Sequence, residues 1–277
     1  MTRRFITVLC LLIALLARAQ DHASYLEIVK AEDQLKALFD RMYNEQVLGT
    51  HRETFREVDS IFHAALLLPG SFDHQWGRLE MIGHLVSDDQ QLKVFSWMYM
   101  VNRDEYHYSG FIQYLDRKGE PVVVRLQPAG GEERYSEEFD QDLDQWHGKV
   151  YYKILTNKHK RKTFYTLLGA DFKDTNSSMK TIEVLTIQRG QPVFRDDQFL
   201  ADGTVKDRVV LEYSADLTMS LNYNEDLDMI VCDHLNPLHP IYHGHYAFYG
   251  PDGSYDGYTF TEGVWVLEED VDARNNR

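Results

Sequence analysis

Residues 149–168 read Lys149-Val150-Tyr151-Tyr152-Lys153-Ile154-Leu155-Thr156-Asn157-Lys158-His159-Lys160-Arg161-Lys162-Thr163-Phe164-Tyr165-Thr166-Leu167-Leu168. Two apolar, aromatic-rich runs flank five consecutive basic residues, and the spacing predicts strands at Lys149–Leu155 and Thr163–Leu168 joined by a hairpin. The basic tip, Lys158 to Lys162, has two readings: a solvated turn, or a contact for an anion or a partner.

The same period of two extends both ways, starting near Met81. Strands are expected at Leu92–Tyr99, Tyr108–Leu115, Pro121–Leu126, Lys180–Gln188, Arg208–Tyr213, Thr218–Tyr223, Met229–Asp233, Tyr246–Tyr249, Gly257–Thr261 and Val264–Glu268. Hairpin signals fill the breaks: Asp116-Arg117-Lys118-Gly119, Arg189-Gly190, Asp202-Gly203, Asn224-Glu225-Asp226 and Pro251-Asp252-Gly253. Such short connections leave no room for crossover helices. The expected fold is therefore mainly β, an antiparallel β meander with barrel or propeller-like closure. The acidic, apolar-poor stretch Gln127–His147 is expected to be a surface connection.

Before Trp76 the period is helical. Tyr25, Ile28, Val29, Leu35, Leu38, Phe39 and Met42 recur at three and four, with Ser24 and Glu27 as a capping box. A second stripe, Phe55, Val58, Ile61, Phe62, Ala65 and Leu66, follows a start at Thr50 and stops at Pro69-Gly70. These predict an N-terminal α-helical hairpin whose apolar face covers the sheet. Further upstream, Arg3-Arg4, an apolar run from Phe5 to Ala17, and Ala17-Arg18-Ala19 have the form of a secretory signal peptide. The expected organisation is a signal at 1–19, the hairpin at 20–80 and an antiparallel β domain at 81–277, in a secreted or periplasmic protein.

The formal charge is −15, and loss of Arg3, Arg4 and Arg18 with the signal makes it more negative. Such a field repels phosphate backbones and anionic lipid, so nucleic acid is not expected as a partner, and no membrane insertion is expected after cleavage. Of the two cysteines, Cys10 lies in the signal and Cys232 sits among Met229, Ile230 and Val231, where it reads as a buried apolar residue. No phosphate loop, dinucleotide fingerprint, nucleophile elbow or Cys-x-x-Cys pair occurs in the chain.

Three constellations could carry chemistry. Asp252, Ser254 and Asp256, at alternate positions before Gly257, resemble the opening of a calcium loop, although a tight glycine hairpin explains them equally. Asp233, His234, His243 and His245, with His239 nearby, could supply zinc ligands if the strands bring them together. All 17 tyrosines lie beyond the signal, and Trp97, Tyr99, Tyr108 and Tyr255 are candidates to line a ligand groove rather than to pack between strands.

The blocks Asp233-His234-Leu235, Tyr249-Gly250-Pro251-Asp252-Gly253-Ser254-Tyr255-Asp256-Gly257-Tyr258 and Trp265 with Glu269-Asp270-Val271-Asp272 resemble a family of uncharacterised secreted bacterial proteins. Ser87-Asp88-Asp89 with Lys93 to Trp97, and Tyr165 to Asp171, look like upstream blocks of that family. The resemblance implies export and brings no activity with it. The expected function is non-catalytic binding of a carbohydrate, a peptide or a surface partner, without a cofactor. The rival is a secreted hydrolase using zinc or calcium at the Asp233, His234, His243 and His245 group.

Overall fold

A computed structural model describes residues 2–44, 51–102, 105–130, 137, 141–201 and 203–273, with residues 2–19, 21 and 51 described as backbone only. The chain is mostly β, with two helices ahead of fifteen strands. Sheet I is β1 (Gly83–Val86), β2 (Leu92–Asn102), β3 (Glu105–Leu115) and β4 (Pro121–Leu126), paired in chain order. Sheet II takes β5 (Val150–His159), β6 (Lys162–Asp171), β7 (Ser177–Gln188), β8 (Gln191–Phe194) and β11 (Val209–Ser214). Sheet III holds β9 (Phe199–Ala201), β10 (Thr204–Lys206), β12 (Leu221–Asn224), β13 (Met229–Pro237), β14 (Tyr249–Thr261) and β15 (Val264–Glu268).

Sheets I and II are apolar on both faces and sheet III on one, and these faces stack. Phe95, Trp97, Tyr99 and Phe111 of sheet I meet Leu35, Phe39, Val58 and Phe62 of the helices. On the opposite face, Leu92, Val94, Tyr108 and Ile112 meet Ile154, Tyr165, Leu167 and Leu185 of sheet II. The reverse side of sheet II, through Leu155, Phe164, Leu168 and Val184, packs on Ile230, Tyr258 and Trp265 of sheet III. Sheet II thus lies between two cores. A strand covered on both faces is apolar throughout rather than alternating, which is why Thr163–Leu168 reads as one apolar run. No closed barrel forms among the described residues, because the edge strands of none of the three sheets pair with each other.

Several local expectations are corrected. The β9–β15 pair is parallel, an exception in an otherwise antiparallel set. The first helix, α1 (Thr2–Asn44), has no break at Ser24; the intervening sequence contains no Pro or Gly to end a helix, so Ser24 is buried inside it. The second, α2 (His51–Leu66), has its predicted stripe buried, while its predicted cap Thr50 lies outside the described residues. Tyr246–Phe248 is a 3-10 turn, not a strand. Pro251-Asp252-Gly253 lies inside β14, where a bulge at Asp233 and Leu235 of β13 absorbs the irregularity. Trp146 and His147 are buried, so the end of the 127–147 connection belongs to the interior. Among the described residues no helix is long and apolar enough to cross a membrane.

Sheet II also buries charge. Lys149 Nζ lies 2.5 Å from Glu183 Oε1, and both side chains are almost wholly inaccessible. Tyr151 donates to the other carboxylate oxygen at 2.6 Å and itself accepts from Trp146 Nε1 at 2.9 Å. Arg208 Nη1 stands 3.9 Å from Glu183. Burial pulls the Lys149 ammonium down to about 8, with Glu183 opposing the shift, so the pair stays charged near neutrality. For Glu183, burial raises the carboxyl while Lys149 and Arg208 outweigh it, and the net shift is downward. Removing one partner leaves a buried charge without compensation. Lys149→Met is expected to cost about 3–5 kcal/mol in a denaturant titration; a loss below about 1 kcal/mol would show that the pair is not buried as described.

His84 on β1 stacks on Phe95 at 4.7 Å and 13°, and its Nε2 is buried without a hydrogen-bond partner among the described residues. Burial first, then the charge of Lys93, lowers its pKa from 6.5 to about 4. A base depressed in the folded state is protonated first in the unfolded chain, so stability is intact above pH 6.5 and falls toward pH 4. By this group alone the fall is up to about 3 kcal/mol. His84→Phe should flatten that part of the pH profile of unfolding; equal acid sensitivity in both proteins would remove His84 as its source.

Candidate functional site

The basic run stands at one end of sheet II. β5 and β6 close through the two residues Lys160 and Arg161, with His159 opposite Lys162. Lys160 has φ 54, an αL position at the tight corner. Beside it, β7 and β8 turn through Arg189 (φ 51) and Gly190 (φ 85), the paired positive φ values of a type I′ hairpin. The chain leaving β8 is pinned by Arg195 N donating to Val184 O at 2.8 Å, which sets the Arg195 side chain beside the same end. From sheet III, the β14–β15 turn comes close enough that a Cβ on Gly263 would lie 3.3 Å from the His159 ring. Three turns and one linker therefore converge.

Two clefts open there. One, of about 320 Å³, is walled by Thr163, Tyr165, Thr186 and Gln188 together with Arg161, Lys162 and Arg195. The other, of about 530 Å³, has Phe164, Gln198 and Glu262 with the same three cations. Tyr165 and Phe164 are consecutive on β6 and face opposite sides of sheet II, so the clefts lie on its two faces and share the cations at the rim. Among the described residues none of Lys158, Lys160, Arg161, Lys162 and Arg195 forms an ion pair. Glu262 is the sole acid among the described residues lining either cleft.

Gln198 is held firmly in the wall of the second cleft. Its backbone N–H donates to Lys206 O at 3.0 Å and its carbonyl accepts from Trp265 N at 2.8 Å. The amide nitrogen donates to Asp196 O at 2.9 Å and Asp197 O at 3.2 Å, which fixes which way round the amide lies. Its Oε1 is buried without a hydrogen-bond partner among the described residues. This arrangement can hold an anion between fixed cations, with hydroxyl and amide groups on either side to orient what carries the charge.

The aromatic candidates do not form one groove. Trp97 is fully buried, with the rings of Phe62 at 5.5 Å and Phe39 at 5.8 Å, and Tyr99 packs on Phe55 at 4.4 Å. Both lie under the helices. Tyr108 faces the other way, donating to Asp171 Oδ1 at 2.7 Å and accepting from Phe172 N at 2.8 Å, with its edge on a shallow hollow beside Tyr106 and Pro128. Tyr255 sits in sheet III opposite Asp233. For Trp97, Tyr99 and Tyr108 the alternation is core packing, because both faces of sheet I are covered.

Nor do the proposed metal ligands assemble. Asp233 accepts from Ser220 N at 2.6 Å, whereas its neighbour His234 pairs through Nδ1 with Asp256 Oδ2 at 2.7 Å. His243 and His245 stay in the turns between β13 and β14. Asp252 accepts from Ser254 N and Oγ at 2.9 and 2.7 Å, and from Asn236 Nδ2 at 2.5 Å. Hydrogen bonds from Ser254 hold its carboxyl down to about 2. Asp252, Ser254 and Asp256 are spread along a strand, so they cannot wrap an ion as a loop does. Among the described residues no three His, Cys, Asp or Glu side chains could hold a metal together. The Asp256 hydrogen bond raises the His234 pKa. Burial pushes the Cys232 thiol up to about 12, as expected of an apolar packing residue.

Sequence reasoning located the basic tip and the Arg189-Gly190 turn but missed Arg195, Gln198 and Glu262. No local pattern marks these three, since sheet pairing brings them to the tip from distant positions. Compared with known family models, curated proteins and solved structures, the chain matches none.

Proposed function

We propose that the protein is an exported binding protein that takes an anionic ligand at the basic end of sheet II. The observation that carries this reading is the set Arg161, Lys162 and Arg195, shared by two clefts and without ion partners among the described residues, in a chain of formal charge −15. In so acidic a chain, cations left unpaired attract external anions to one place, and the surrounding field turns them away elsewhere. Export is supported by the signal-like run at 1–19 and by the resemblance of the C-terminal blocks to secreted bacterial proteins.

The three cations suit a carboxylate or sulfate group, since an arginine fork holds two oxygens at once. Calorimetric titration with inorganic sulfate at low ionic strength should show saturable binding that weakens as sodium chloride is raised. The variant Arg161→Ser, Lys162→Ser, Arg195→Ser should bind at least about tenfold more weakly while melting near the wild-type temperature, because all three side chains are on the surface or partly exposed. Saturable binding that survives the triple substitution would place the anion elsewhere and overturn the proposal.

A further inference from the structure

We propose that the turns between β13 and β14 form a docking surface for a basic, apolar segment of a partner polypeptide, at the opposite end of β14 from the basic cations. β14 leads away from these turns and closes into β15 at Gly263, beside His159. Its 13 residues span roughly 40 Å at about 3.3 Å each, so the two surfaces stand far apart.

The surface is apolar and joined. Ile241 is 74% exposed and Leu238 57%, with Leu217, Tyr246 and Phe248 also open to solvent. Leu217 and Leu238 both lie over Gly250, where Leu238 Cδ2 is 3.2 Å from the place a Cβ would take. Leu238 N donates to Phe248 O at 2.9 Å, which brings the start and the end of the turns together. Single exposed apolar residues are ordinary, whereas a joined set marks an interaction surface. The exposure is built into the turns. Tyr242 stacks on Phe248 at 4.4 Å and 17°, His245 N donates to Tyr242 O at 2.8 Å, and Gly244 N donates to Tyr249 Oη at 3.0 Å. Turns fixed in this way lose little freedom when a partner covers them.

Charge selects the partner. From His234 to Pro251 the chain has no Asp, Glu, Lys or Arg, and acids stand at the border of the apolar set. Asp216 precedes Leu217, and Asp252 lies one strand period after Gly250, on the face that Leu217 and Leu238 cover. Asn236 is paired opposite Gly250 and donates to Asp252, as a shared face requires. Neither carboxylate has an ion partner among the described residues. A second copy would bring the same two acids and a formal charge of −15 to the contact, and a phospholipid surface would set phosphate oxygens against them. A polypeptide with branched aliphatic side chains beside lysine or arginine meets both features, its cations at Asp216 and Asp252.

The test uses three synthetic peptides of equal length: a leucine–lysine peptide, the same peptide with serine for leucine, and the same peptide with glutamate for lysine. In calorimetric titrations of the purified protein, the leucine–lysine peptide is expected to bind saturably and about tenfold more tightly than either counterpart. Leu238→Ser with Ile241→Ser, both at exposed positions, should remove about that factor with an unchanged melting transition. Asp216→Asn with Asp252→Asn should weaken binding severalfold and flatten its dependence on sodium chloride. If the serine substitutions lower the melting transition, the comparison of peptides on the wild-type protein decides alone. Failure of the leucine–lysine peptide to bind, equal binding of the serine–lysine peptide, or binding unchanged by the serine substitutions overturns the proposal. So does loss, on those substitutions, of a wild-type dimer in sedimentation velocity or of wild-type co-sedimentation with phosphatidylcholine vesicles, since either result assigns the surface to a different occupant.

Discussion

Glu183 carries its charge in the middle of the protein, and much of the structure is arranged to make that tolerable. It stands on β7, an interior strand of sheet II, between a core shared with sheet I and a core shared with sheet III. Lys149, Tyr151 and Arg208 converge on it from the starts of β5 and β11. Those contacts tie strands far apart in sequence and fix how β5, β7 and β11 sit. A buried charge of this kind favours one arrangement, because any register that moved a partner away would strand it in a medium of low dielectric. Gly169 belongs to the same constraint: a Cβ there would lie 2.7 Å from the Lys149 side chain.

The candidate site takes its geometry from the other end of the same sheet. The β5–β6 and β7–β8 turns project from strands held in register by the buried pair, and Arg195 is anchored to Val184, one residue from Glu183. Rigid strands therefore present the cations, and sheet III supplies the facing wall through Gln198, Glu262 and Gly263. Placing like charges side by side costs stability unless a counter-ion neutralises them. Some cations elsewhere, such as Lys173 with Glu212 and Lys206 with Glu137, have acidic partners, whereas Lys93 and Lys180 lie over the rings of Phe72 and Tyr152.

How far the sequence reveals this depends on the range of the interaction. Period and turn chemistry are local, so the strand pair around Lys158–Lys162, the Arg189-Gly190 turn, β4 and β15 are legible from the residues alone. The short strands β1, β8, β9 and β10 are not, since each forms through pairing with a distant or already built strand. Trp97 and Tyr99 were readable as groove residues because alternation shows which residues share a face without showing what covers it. The histidines near Asp233 failed for a related reason: β13 and β14 put Asp233 and His234 on opposite faces, and no sequence rule shows where the 239–248 turns lie. Gln198 is invisible at that level, because an unpaired buried oxygen is a property of the folded wall.

The decisive measurement is a crystal structure of the full chain grown with sodium sulfate at low ionic strength. Sulfate is expected between Arg161, Lys162 and Arg195. Ligand density confined to another surface, such as the hollow beside Tyr106 or the turns around His243, with the basic end left in solvent, would contradict it.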